Sequence, residues 1–149
     1  MSPTPCCSRR NPAVGRRFTD DARRDLYRAV RERGGVVTKR ILVVGAADTK
    51  GEELDYLSSI IAEAGALAVV VDVGSGEPRA VVDIPRRAVT ASRPDPALDG
   101  RDRSSAVAAM GEAFAAFLAG FDAFDAILGI GGGGGTSIVT RGMRTLPIG

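Results

Sequence analysis

A chain of 149 residues with 44% hydrophobic and 26% charged side chains has the size and composition of one globular domain. No apolar run approaches the ~20 residues of a membrane-spanning helix, so no membrane role is expected. Histidine is absent, which excludes serine–histidine and cysteine–histidine catalysis and leaves carboxylates, lysine or tyrosine as the available acids and bases.

The net charge of +2 hides two unlike parts. Residues 1–40 hold 11 Lys/Arg against 4 Asp/Glu, and the remainder hold 9 against 14. Arginine pairs stand at Arg9-Arg10, Arg16-Arg17 and Arg23-Arg24, with no aromatic residue among them before Phe18. That pattern does not predict nucleic-acid binding, and without an apolar segment the twin arginines are not an export signal. Residues 1–39 are expected to form a basic extension, disordered or loosely docked. Within it Thr19 is placed to cap a helix from Asp20 to Arg33, with Leu26, Tyr27 and Val30 on one side. Cys6 and Cys7 are adjacent, which is neither C-x-x-C nor zinc-ligand spacing and fits a reducing, cytoplasmic compartment.

From Arg40 the pattern changes. Ile41-Leu42-Val43-Val44, ending at Gly45, reads as a central parallel strand buried on both faces. Thr49 followed by Glu52 reads as a capping box, and Leu54, Leu57, Ile61 and Ala64 recur at helical spacing until Gly65 closes the helix. Leu67 to Val73 is the next strand. Strand, capped helix and strand over about 33 residues predict a right-handed βαβ unit. Residues 78–101, broken by Asp83-Ile84-Pro85 and Arg93-Pro94-Asp95-Pro96, are expected to be an excursion with at most one short strand. Its arginines, with Arg103, could reach an anion, although most are expected to be solvated. A helix from Ser104 or Ser105 to Leu118 follows, with Val107, Met110, Phe114 and Phe117 on its buried face.

The last stretch carries most of the functional information. Asp125 to Ile130 reads as a buried strand running into Gly131-Gly132-Gly133-Gly134-Gly135, with Thr136 or Ser137 starting a helix. Five glycines remove every Cβ that would keep a ligand from the backbone, permit positive φ, and lie at the positive end of the helix dipole. Gly129, Gly131 and Gly134 satisfy G-x-G-x-x-G, but the residue before Thr136 is Gly135, so the phosphate lysine of a Walker A loop is missing.

Ligands of open parallel sheets lie outside the carboxyl ends of the strands. Three segments therefore converge: Gly45-Ala46-Ala47-Asp48-Thr49-Lys50, Asp72-Val73-Gly74-Ser75-Gly76, and Gly131 to Ser137. Lys50 can neutralise a phosphate, and Asp48 and Asp72 offer oxygens to Mg²⁺ or to ribose hydroxyls. No residue stands out as a nucleophile, so no reaction is assigned.

These motifs carry a resemblance. VVGAADTKGEEL (43–54), DVGSGEP with DIP (72–78, 83–85), DRSSAVAAM (102–110) and GIGGGGGTS with LPIG (129–137, 146–149) resemble the successive motifs of the tomato mosaic virus resistance protein-like ATP-binding domain family. The resemblance implies an α/β, Rossmann-like parallel sheet with flanking helices over 40–149, incomplete at its C-terminus. It also implies a second α/β domain beyond it and a homodimer when completed. By position, ATP, with Mg²⁺, would contact Gly45, Ala46, Asp48, Thr49, Lys50, Asp72, Val73, Gly74, Gly131, Gly132, Gly133, Gly134, Gly135 and Thr136. Two alternatives stand beside this reading. One is an NAD-type dinucleotide module with Asp72 on the ribose, and the other is a non-catalytic remnant that needs a partner half to fold.

Overall fold

The run Arg40-Ile41-Leu42-Val43-Val44-Gly45 forms strand β1, with Leu42, Val43 and Val44 fully buried. β-branched side chains on both faces suit a strand covered on both sides, and β1 is the middle of the sheet. Strand β2 (Leu67–Asp72) pairs with it in parallel from Arg40↔Leu67 to Gly45↔Asp72. On the other side strand β3 (Ala126–Gly129) pairs in parallel from Ile41↔Ala126 to Val44↔Gly129. The order β2-β1-β3 with helices on both faces is the expected α/β, Rossmann-like arrangement. The computed structural model describes residues 20–32, 39–100 and 102–147. Expectations placed on Cys6, Cys7, the arginine pairs before Phe18, Thr19 and the final Ile148-Gly149 lie outside these residues.

Alternation along the strands splits the core in two. Val43 and Val70 point to one face, where Leu54 and Ile61 of helix α2 (Gly51–Glu63) cover them. Leu42, Val44, Val69 and Val71 point to the other. There the cover comes from helices α3 (Arg86–Thr90), α4 (Arg103–Ala119) and α5 (Gly133–Met143). Phe114 and Phe117 of α4 stack with Phe121 and Phe124 after it, at centroid distances of 6.4, 5.1 and 6.1 Å. Val30 of helix α1 (Asp20–Glu32) joins this larger core, and its carbonyl accepts a hydrogen bond from Arg40 Nε at 3.2 Å.

Three local expectations are corrected, and a fourth, that residues 78–101 hold at most one short strand, stands. The capping box at Thr49 does not form: α2 has Lys50 as N-cap and no side-chain cap. Thr49 and Lys50 instead both donate backbone N–H to the Ala46 carbonyl, at 3.1 and 2.8 Å, and this turn delays the helix. Helix α5 starts at Gly133, not at Thr136, so three of the five glycines are already helical. No glycine in that run has a positive φ; among the described glycines only Gly65 does, at 78°, as the end of α2 requires. The excursion after Pro78 holds α3 and a 3-10 turn, Pro96–Asp99, and contributes only a single bridge, Val71↔Ile84, to the sheet.

Candidate functional site

The carboxyl ends of the strands open into a cleft of about 280 Å³. Ala46, Asp48 and Thr49 line it from the loop after β1, and Val73, Gly74 and Ser75 from the loop after β2. Gly134, Gly135 and Ile138 come from the start of α5. The chain brings these together because β1 feeds a helix on one face of the sheet while α5 returns on the other, so the loops diverge at the β1–β3 boundary. The opposite wall is Arg86, Leu98, Arg103, Ala106, Val107 and Met110, from α3, the 3-10 turn and α4. Leu98, Ala106, Val107, Met110 and Ile138 make that interior largely apolar, with polar groups at its mouth.

Two aspartates organise the strand ends. Asp72, 3% exposed, accepts hydrogen bonds through Oδ1 from Ala47 N at 3.0 Å and Gly74 N at 2.8 Å. Burial pushes its carboxyl above the ordinary carboxylate value, the two amides pull it back, and Asp48 pushes it further against the opposing charge of Arg86. Asp48 reaches the other way, accepting from Gly76 N at 2.7 Å through Oδ2. Each loop therefore holds the carboxylate of the other. Asp48 Oδ1 is buried without a hydrogen-bond partner. Gly74 stands where it does because a Cβ there would lie 2.6 Å from that oxygen and 3.0 Å from Asp72 Oδ1.

Among the residues singled out in the sequence, Ala46, Asp48, Thr49, Val73, Gly74, Gly134 and Gly135 line this cleft. Gly45 is buried below it, where a Cβ would come 2.9 Å from Ile130 Cγ2. Lys50 turns aside: its Nζ donates to Glu53 Oε1 at 2.6 Å, and that hydrogen bond holds the Glu53 carboxyl below its ordinary value. Gly131 lies in a turn too tight for a side chain, since a Cβ would sit 2.8 Å from Gly135 Cα. Thr136 closes this turn, its N–H donating to the Gly132 carbonyl at 2.9 Å and its hydroxyl to the Gly131 carbonyl at 3.3 Å. Gly132 and Gly133 are different, because a Cβ at either would meet nothing within 4 Å.

Sequence reasoning read α4 as a helix but did not place it across the cleft from the glycines, and it missed α3 and the 3-10 turn beside it. Arg86 donates from Nη2 to the Leu98 carbonyl at 2.7 Å and pairs with Asp99 at 3.3 Å, which fixes the 3-10 turn against α3. The signal for α4 was Asp102: it caps the helix by accepting from the N–H groups and hydroxyls of both Ser104 and Ser105. Those bonds hold its carboxyl down at about 2. No group of three or more His, Cys, Asp or Glu is placed to hold a metal among the described residues. No described helix is long and apolar enough to cross a membrane.

A sequence model described as the N-terminal domain of an uncharacterised protein family, UPF0261, matches residues 39–149. A UPF0261 protein of Rhizobium meliloti is 56% identical over 114 residues, and one of Mesorhizobium japonicum 54% identical over 114. In both cases the match covers 74% of this chain but 29% of the relative, so the chain spans less than a third of the length of these relatives. A UPF0261 protein of Clostridium tetani is 33% identical over 120 residues. No solved structure matches. The family expected from the loops is thereby corrected, since the matching model and these relatives carry the UPF0261 name and not that of the tomato mosaic virus resistance protein. Glycine and aspartate motifs at strand ends mark a way of building a crevice that unrelated α/β chains share, and they do not by themselves separate families.

Proposed function

The chain belongs to the UPF0261 family, as its N-terminal domain, and from that premise we propose that it binds an adenine nucleotide, ATP, in the cleft between α4 and α5. The observation that carries this reading is the pair Gly132-Gly133, which immediately precedes the cleft-lining Gly134 and Gly135. Neither has a positive φ and neither is crowded, so the fold has no need of glycine there. A polyphosphate lying against bare amides at the start of a helix does need it. The apolar wall of Leu98, Val107 and Met110 offers a flat base a dry surface, while the phosphates reach the mouth.

Mg²⁺ would arrive with the phosphates, taking most of its ligands from them and from water, with one or two carboxylates from the protein. Asp48 fits that requirement, because its unpartnered Oδ1 is the spare hard oxygen at this strand end. Asp72 Oδ1 is already committed to two amides. The ion would neutralise phosphate charge that the glycine loop, lacking a lysine, leaves uncompensated. We place the protein in the cytoplasm on the same reading, since that compartment supplies ATP.

Calorimetry and thermal unfolding with Mg-ATP, Mg-ADP and NAD test the proposal. Binding of Mg-ATP at 100 times its Kd stabilises the fold by about 2.7 kcal/mol. Protection by NAD alone would make the site a dinucleotide module, and no heat with any purine nucleotide would end the reading.

A further inference from the structure

We propose that Arg103 is the cation that meets the phosphate chain, taking the place of the lysine absent before Thr136; the inference rests on the nucleotide reading above and names a residue for it. Two arginines line the cleft, Arg86 and Arg103. Arg86 is committed to Asp99 and the Leu98 carbonyl. Lys50 is paired with Glu53 and does not line the cleft, and Arg79 lines a separate hollow beside α2. Arg103 is exposed and makes no ion pair or hydrogen bond among the described residues.

Its position is favourable in a second way. Arg103 is the first residue of α4, and Val107 lies one turn further along the same face. Val107 Cγ2 would lie 3.3 Å from a Cβ at Gly134, so this face of α4 looks straight at the start of α5. An arginine one turn nearer the mouth therefore stands across the cleft from the glycine amides. The Asp102 cap fixes the first turn on which Arg103 is mounted. A cation at a helix N-terminus opposes the helix dipole, a local disadvantage that an anion bound between the two helices would remove.

The test compares Arg103→Ala and Arg103→Lys with the wild-type chain, using ATP, adenosine and inorganic tripolyphosphate as separate probes in calorimetry. The alanine variant is expected to lose about tenfold to a hundredfold in affinity for ATP and for tripolyphosphate, with adenosine unchanged. The lysine variant should recover part of the loss, and raised salt should narrow the gap between wild type and alanine. Equal losses for ATP and adenosine, or no loss for either, would overturn the assignment of Arg103. A wild-type chain that takes tripolyphosphate through Arg103 but discriminates against ATP would keep the assignment and end the nucleotide reading. A chain that takes none of the three ends both.

Discussion

Asp72 shows how one carboxyl can serve the framework of a cleft without lining it. Replacing it with alanine leaves the buried N–H groups of Ala47 and Gly74 without their acceptor, a loss of about 2–4 kcal/mol measurable by urea unfolding. Asparagine keeps an oxygen for both amides and removes a buried charge, so Asp72→Asn should be at least as stable as wild type at neutral pH. The pH profile separates the two aspartates. Asp72 has a folded pKa raised above 3.8, so the folded state binds the extra proton and stability falls as pH rises through the window above that value. Asp102 has the opposite shift, to about 2, so its contribution is present above 3.8 and lost as pH falls from there. Unfolding followed from pH 2 to 7 should therefore lose its upper slope in Asp72→Asn and its acid-side slope in Asp102→Ala.

Between the elements, the glycines divide into those the fold demands and those it does not. A Cβ at Gly129 would overlap Val139, and one at Gly142 would come 2.5 Å from Phe114, where α5 lies closest to β3 and α4. Gly129→Ala should cost about 1–3 kcal/mol in chemical denaturation. Gly133→Ala meets no atom and adds a better helix former to the first turn of α5, so stability should hold or rise by up to ~1 kcal/mol while ATP affinity drops. One variant that gains stability and loses binding would separate architecture from recognition. The strands were legible from the sequence: Ile41-Leu42-Val43-Val44 and Leu67 to Asp72 lie on the sheet as read, because buried parallel strands leave unbroken apolar runs, whereas the run into Gly131 forms a strand but not the buried one expected, since β3 is largely exposed at the edge of the sheet. Helix α2 and its closing Gly65 were legible for the same periodic reason. The start of α2 was not, since the turn in which Thr49 and Lys50 both donate to the Ala46 carbonyl shifts the N-cap position from Thr49 to Lys50. Nor was the far wall of the cleft, because α3 has five residues and the 3-10 turn four, too short for any periodicity to show. Arg86 and Arg103 were legible as two of several arginines able to reach an anion, but not as the two that line the cleft. Their convergence depends on how α3 and the 3-10 turn pack against α4, which no local pattern encodes.

On the scale of the whole molecule, the sheet is lopsided. β2 and β3 are both edge strands, but β2 is buried and carries the Val71–Ile84 bridge on its outer side, whereas β3 is largely exposed and pairs among the described residues with β1 alone, and Leu128 on the α2 side is 39% exposed. Ile60 of α2 is 43% exposed on that side of the sheet as well. A parallel strand with a free edge and bare apolar side chains is a template for further pairing. The isolated chain is expected to self-associate with rising concentration, and Leu128→Lys should reduce the effect in light scattering while leaving the unfolding midpoint within ~1 kcal/mol of wild type. Phe117→Ala sets the contrasting scale: removing an inner ring of the four-ring aromatic ladder should cost about 3–5 kcal/mol.

The crossed hydrogen bonds Asp48–Gly76 and Asp72–Ala47 bear on how this domain could be rebuilt. Grafting either segment alone from a relative would strand one carboxylate and one amide, so a chimera should tolerate the two segments only as a matched set. Transplanted together, they would carry their mutual spacing into a new scaffold, and a pair of single grafts that fail beside a double graft that folds would be the signature of that interdependence.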